Sequence, residues 1–170
     1  MTTVTVAALD PGTRNLGLAA RTYVLRDGAL GKRITQFNIH ISAKTPVAAA
    51  QLVVKALHPS KKTLRLIICE DFAFSMTHRL PLLGRLVGAI EFWAARHHIA
   101  FVRVGIARAK KGIGLKGNCN RKVYVAALRK RYPDAASDDS RVALAILDTC
   151  ARDVWNDSEL FTGGLDDPKD

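Results

Sequence analysis

Two apolar runs, Val4 to Leu9 and Leu64 to Cys69, each end in an acid, Asp10 and Glu70. In the first, Val4, Val6 and Ala8 alternate with their neighbours at the period of a buried strand. The second is nearly continuous in apolar residues, as expected of a central strand covered on both faces. Set as parallel neighbours, the two strands deliver their carboxylates side by side at one edge of a sheet. Pro11-Gly12-Thr13 makes a tight turn after Asp10. An acid there suits a hard divalent cation held through oxygen, a phosphate cradled by the turn's N–H groups, or simple capping of the turn.

The rest of the chain supplies the sheet and its cover. Leu18 to Val24 is the antiparallel neighbour of the first strand, and Arg26-Asp27-Gly28 carries the Asp-Gly signal of a hairpin into a third strand, Arg33 to Ile41. Thr45 is placed to cap a helix that starts at Pro46, runs through Val47 to Leu57, and stops at His58-Pro59. Leu83, Leu86, Val87, Ile90 and Ala94 fall at helical spacing, with Trp93 assigned to packing; Ile99 to Val104 is a further strand. The expectation is an α/β fold: a mixed five-stranded sheet, an antiparallel meander followed by parallel strands, flanked by helices.

From Arg103 through Arg131 there are ten Lys or Arg residues and no acid. The segment ARAKKGIGLKGNCNRK, with Gly112, Gly114 and Gly117, is expected to be a flexible loop able to follow a phosphate backbone. Arg121 to Arg131 is expected to be a short basic helix stopped by Pro133. A last helix begins near Ser137-Asp138-Asp139, and Val142, Ala143, Ile146 and Cys150 continue one apolar stripe below Asp139. Asp139 therefore heads the face turned to the sheet, toward Asp10 and Glu70. Asp138 is angled toward Arg141, and either it or Ser137 is the N-cap. Residues 1–153 make one domain, and 154–170 form an acidic, loosely ordered tail.

Charge narrows the partners. The chain has 26 Lys and Arg against 15 Asp and Glu; from Asp148 onward there are seven acids and two bases, so the first 147 residues hold 24 bases and 8 acids, a net of +16. Such an excess points to a polyanion, nucleic acid being the usual one. Cys69, Cys119 and Cys150 lie far apart without ligand spacing, which argues against zinc and for reduced thiols in an intracellular compartment. No signal peptide or membrane-length apolar run is present, so no membrane partner is expected.

Carboxylates converging from two strand ends and one helix start raise one another's pKa unless cations are present. Two Mg²⁺ or Mn²⁺ ions about 4 Å apart would resolve this, and such pairs hydrolyse phosphodiesters. The motif order now carries a resemblance. LDPGTRNLGLA, Glu70 after Ile67-Ile68-Cys69, LGRLVGAI from Leu83 to Ile90, the run from Arg108 through Gly112-Ile113-Gly114 to Lys122, and the Asp-led last helix resemble the RuvC-type Holliday junction resolvases of the RNase H-like superfamily. The resemblance extends to about Cys150; pre-ribosomal-RNA nucleases share the opening motif.

It implies an RNase H-like fold and a homodimer that binds four-way DNA junctions and makes paired symmetric nicks. By position it implies metal ligation by Asp10 and Glu70, and basic Lys111 and Lys122 beside the scissile phosphate, Lys122 in a catalytic role; the apolar stripe gives the last ligand role to Asp139, with Asp138 as the fourth acid. DNA contacts are expected from Arg14, Arg108, Lys110, Lys116 and Arg121, with Phe72 or Phe74 wedging the junction. The last motif departs from the family's pair of acids three residues apart: Val142 stands three after Asp139. The helix from Leu80 to Ala95 is the expected dimer surface. The alternatives are the same nuclease chemistry on other branched DNA or structured RNA, a non-catalytic junction binder, and an actin-like phosphate loop, which needs a far longer chain.

Overall fold

A computed structural model describes residues 2–71 and 80–157. Phe72 and Phe74, and residues 158–170 of the expected tail, lie outside the described residues. Five strands, β1 (Thr3–Asp10), β2 (Asn15–Arg26), β3 (Ala29–Ser42), β4 (Leu64–Glu70) and β5 (Ala100–Val104), form one sheet in the order β3-β2-β1-β4-β5. The first three make the antiparallel meander; β1, β4 and β5 are parallel. The hairpin at Asp27 and Gly28 has φ of 50° and 77°, the left-handed pair that a two-residue turn with native twist requires.

The helices α1 (Pro46–Leu57) and α2 (Leu80–Arg96) cover one face, and α3 (Ile106–Gly112), α4 (Arg121–Arg131) and α5 (Asp138–Asp157) the other. Strand parity divides the two cores. Val4, Val6, Ala8, Leu66 and Ile68 pack toward α5, whereas Ala7, Leu9, Ile67 and Cys69 pack toward α1 and α2; Leu64 joins the second group because the β1–β4 register shifts just before Leu66. Thr45 caps α1 by accepting from the Ala48 amide at 3.2 Å. The five stripe residues expected of α2 are the ones it buries, leaving Leu82 and Phe92 outward, 39% and 66% exposed.

Three expectations change. The first half of the basic segment is not a loop: Ile106 to Gly112 is α3, which packs Ala109 into the core and passes so close to α5 that a Cβ on Gly112 would meet the Thr149 side chain at 2.4 Å. The apolar face of α5 is broader than one stripe, because α3 and α4 flank it; Leu144, Ala145, Leu147 and Ala151 are buried as well. The helix also continues past residue 153. Val154 and Trp155 are buried, and Trp155 Nε1 donates to the Gly28 carbonyl at 2.7 Å, tying α5 to the hairpin.

Candidate active site

The even residues of β1 face α5, so Asp10 follows Val4, Val6 and Ala8 onto that side, and Glu70 follows Leu66 and Ile68. Leu9 pairs with Cys69 in the parallel ladder, which sets the two acids beside each other one step further on. Their carboxyl groups share a hydrogen bond. Asp10 is 8% exposed; burial first, then the charges of Glu70 and Asp139, hold its pKa well above the usual carboxylate range. Burial raises Glu70 too, against its hydrogen bond from Asp10 and the positive charges of Arg121 and Lys110.

Asp139 joins them from the first turn of α5, and that approach depends on a missing side chain. Gly17 lies opposite Asp10 in the β1–β2 ladder, and a Cβ there would stand 2.0 Å from the Asp139 carbonyl oxygen. Three contacts with β3 fix the same turn. The Ala136 amide donates to Asn38 Oδ1 at 2.9 Å, Ser140 Oγ donates to the Ile39 carbonyl at 2.9 Å, and His40 Nδ1 lies 3.1 Å from Ser137 Oγ. Ser137 is the cap, accepting from the Ser140 amide at 3.0 Å. Gly17 and these anchors escape a sequence reading; the only trace is a small residue at the position paired with Asp10.

Asp138 is turned elsewhere. Arg129 holds it by two hydrogen bonds, 3.0 and 2.6 Å, and Arg141 by one of 3.1 Å, which keep its pKa below the usual value. The structure therefore brings Asp10, Glu70 and Asp139 together and leaves Asp138 in an ion-pair network on the outside of the helix start.

The basic residues sort in the same way. Arg121 Nη2 lies 3.1 Å from Asp139 Oδ1, and its charge reaches both Asp10 and Glu70. With Arg14 it lines a cleft of about 810 Å³ over the acids, bounded by the turn from Pro11 to Asn15 and by Leu82 and Leu83. Behind Glu70 a cavity of about 120 Å³ is lined by Lys110, Arg121 and Tyr124, among others. Lys111 and Lys122 line neither space; the stem of Lys111 lies by Gly117. The cations beside the acids are thus Lys110 and Arg121, each one residue earlier than the resemblance implies. Spacing carried the signal, for Arg121, Tyr124, Val125 and Leu128 recur at i, i+3, i+4 and i+7. Arg108 is taken up by Asp153 at 3.0 Å and Asp157 at 3.8 Å, and Lys116 is exposed.

Among the described residues, no set of three or more His, Cys, Asp and Glu side chains is gathered ready to hold a metal ion, since Asp139 is turned to Arg121. The donor set nevertheless fits a hard divalent cation: a buried and a half-buried carboxyl side by side, both with raised pKa, and a third acid one guanidinium away.

Solved structures match this arrangement of elements. Thermus thermophilus RuvC is 21% identical with a TM-score of 0.60, covering 87% of this chain and 93% of its own. The same protein in complex with a Holliday junction substrate is 18% identical with a TM-score of 0.64, covering 90% and 96%. The chain has a RuvC-like fold. No family model and no curated protein sequence matches it. In the RuvC-like sheet of this chain the acids occupy the carboxyl ends of the two central parallel strands, with α5 across them. No helix among the described residues is long and apolar enough to cross a membrane.

Proposed function

We propose that this protein is a metal-dependent endodeoxyribonuclease that resolves four-way DNA junctions by paired symmetric nicks, acting as a homodimer. The observation that carries the reading is the Asp10–Glu70 pair, a buried and a half-buried carboxyl held against each other, with Asp10 opening into a cleft lined by Arg14 and Arg121. The RuvC-like fold supports it, one of the matched structures being RuvC with a Holliday junction substrate. So do the ten bases from Arg103 to Arg131, the chemistry a phosphate backbone selects.

Asp10, Glu70 and Asp139 would hold Mg²⁺ or Mn²⁺. When bound, such ions polarise the scissile phosphate and make a water nucleophilic at neutral pH. The chain's own groups do the rest. Asp10 and Glu70 would hold the cation as anions, against the burial that raises the pKa of both. Arg121, exposed at the cleft and freed from Asp139, turns its guanidinium to a phosphate oxygen, while Arg14 takes the backbone at the opposite wall. Lys110 donates to the Cys119 carbonyl at 2.7 Å, so its ammonium stays beside Glu70 and favours the ionised form. Leu82 and Phe92 on the outer face of α2 are the side chains available to a second copy.

The test is a nicking assay on a synthetic four-way junction with a matched linear duplex, in Mg²⁺ and then in EDTA. Symmetric cuts confined to the junction and lost in EDTA are expected, and Asp10→Asn should bind without cutting. Equal cutting of the duplex, or binding without cuts in either metal, would overturn the assignment.

A further inference from the structure

Tyr124 sits on the inner face of α4, 2% exposed, and its hydroxyl is the buried side-chain polar atom left without a hydrogen-bond partner among the described residues. Leaving such a group unpaired is destabilising, and a phenylalanine would fill the same space without that cost. Tyr124 lines a cavity of about 120 Å³, together with Glu70, Lys110, Arg121, Val125, Val142 and Ile106. Lys110 Nζ stands 5.7 Å from the Tyr124 ring centroid, anchored by its bond to the Cys119 carbonyl. Four residues with polar side chains thus border one small space: Tyr124, Glu70, Lys110 and Arg121. Burial, reinforced by the charges of Glu70 and Asp10, pushes the phenol's pKa up, so it remains a donor at any working pH.

A water needs room for about one probe sphere and two to four polar partners, and this cavity offers both. We propose that Tyr124 is a positioning residue: its hydroxyl holds a water in this cavity, and that water hydrogen-bonds Glu70 from behind and fixes the carboxylate's orientation toward Asp10. Glu70 is then gripped on two sides, by Asp10 from the cleft and by the bridged water from the interior. A ligand carboxylate held in this way keeps one orientation, and groups that orient ligands typically contribute about 10- to 100-fold to metal affinity. Tyr124 itself touches neither cation nor substrate. The proposal rests on the acidic pair being a divalent-cation site.

Tyr124→Phe in the full chain separates the possibilities. If the hydroxyl holds the water, the variant should have a urea midpoint no higher than wild type without metal, an Mn²⁺ dissociation constant raised about 10-fold by calorimetry, and a lowered kcat on junction DNA with KM unchanged. A high-resolution crystal structure should carry a water between residue 124 and Glu70 in wild type and lose it in the variant. If the hydroxyl is merely unpaired, the variant should be more stable than wild type and bind Mn²⁺ within about twofold of it, which overturns the role of Tyr124 alone. Wild-type protein that takes up no Mn²⁺ would overturn the cation site itself and this role with it.

Discussion

Gly17→Ala should do far more damage than one methyl group suggests. A Cβ at position 17 would stand 2.0 Å from the Asp139 carbonyl oxygen, 2.1 Å from its carbon and 2.6 Å from the Ser140 nitrogen. Ordinary carbon–oxygen contacts begin at about 3.3 Å, so the first turn of α5 has to retreat by about 1.3 Å or the strand has to bend. Neither is free to move. β2 is bonded on both sides, to β1 and β3, and the turn is held to β3 through Asn38, Ile39 and His40. Overpacking of this kind costs about 1–3 kcal/mol, and one or two stretched hydrogen bonds add about 1 kcal/mol each. A destabilisation of about 2–5 kcal/mol should appear as a lower urea midpoint with unchanged slope. The sign is decisive, because an alanine tolerated at a strand glycine would stabilise by about 0.4–1 kcal/mol through the unfolded chain. Asp139 moves with the turn, and a misplacement of about 1 Å at a catalytic group costs about 100-fold in rate, read by single-turnover nicking of a junction. A variant as stable as wild type and equally fast would refute the claim that Gly17 sets the height of α5 over the acids.

Asp10→Asn should stabilise the metal-free protein at neutral pH while abolishing cleavage. The folded pKa of Asp10 lies above its unfolded value, so proton binding stabilises the fold at low pH and that stability is lost as pH rises through the folded value. Asparagine never loses a proton, so its advantage in urea melts should be clear at neutral pH and vanish toward about pH 4; an advantage that grows on acidification would reverse the argument. Asp139→Asn should lower the nicking rate at least about 100-fold, whereas Asp138→Asn should leave it within about threefold and cost only about 1 kcal/mol of stability through the Arg129 and Arg141 pairs. Asp148 pairs with the buried Arg21 and accepts from the Tyr132 hydroxyl. Asp148→Asn strands that guanidinium and should cost about 3 kcal/mol by urea denaturation; a loss under 1 kcal/mol would mean that Arg21 reaches solvent instead.

What a sequence reveals here is whatever one element's own period encodes. Alternation in β1 fixes which of its residues enter which core, and β4, apolar on both faces, brings Glu70 out beside Asp10 through its parallel pairing with β1. The Asp27-Gly28 turn, the Thr45 cap and the α2 stripe are local as well. The height of Asp139 at the top of the α5 stripe follows from helical periodicity, and the structure sets it beside the other two acids. Counting along a motif does less well than phase. It selects Lys111 and Lys122, while the packed faces of α3 and α4 present Lys110 and Arg121 to Glu70. Contacts that join distant segments leave no local pattern at all: Arg21 with Asp148 and Trp155 with Gly28 each span 127 residues.

The geometry of the acids explains why so much of that distant machinery converges on one helix turn. Asp10 and Glu70 oppose the fold that contains them, since burial and mutual repulsion penalise their ionised forms. A loosely held cluster would relieve the strain by turning a carboxyl to solvent, and the site would be lost without any contact being broken. Asp139 has already found such relief in Arg121, and it remains in place because the backbone carrying it is held by Gly17 beneath and three contacts to β3. The anchors therefore serve the unfavourable part of the structure. Weakening any one of them, as with Asn38→Ala, should reduce divalent-cation affinity more than its loss of about 1 kcal/mol in folding would suggest. An Asn38→Ala protein that unfolds earlier yet binds Mn²⁺ as tightly as wild type would show that the acids hold their places without it.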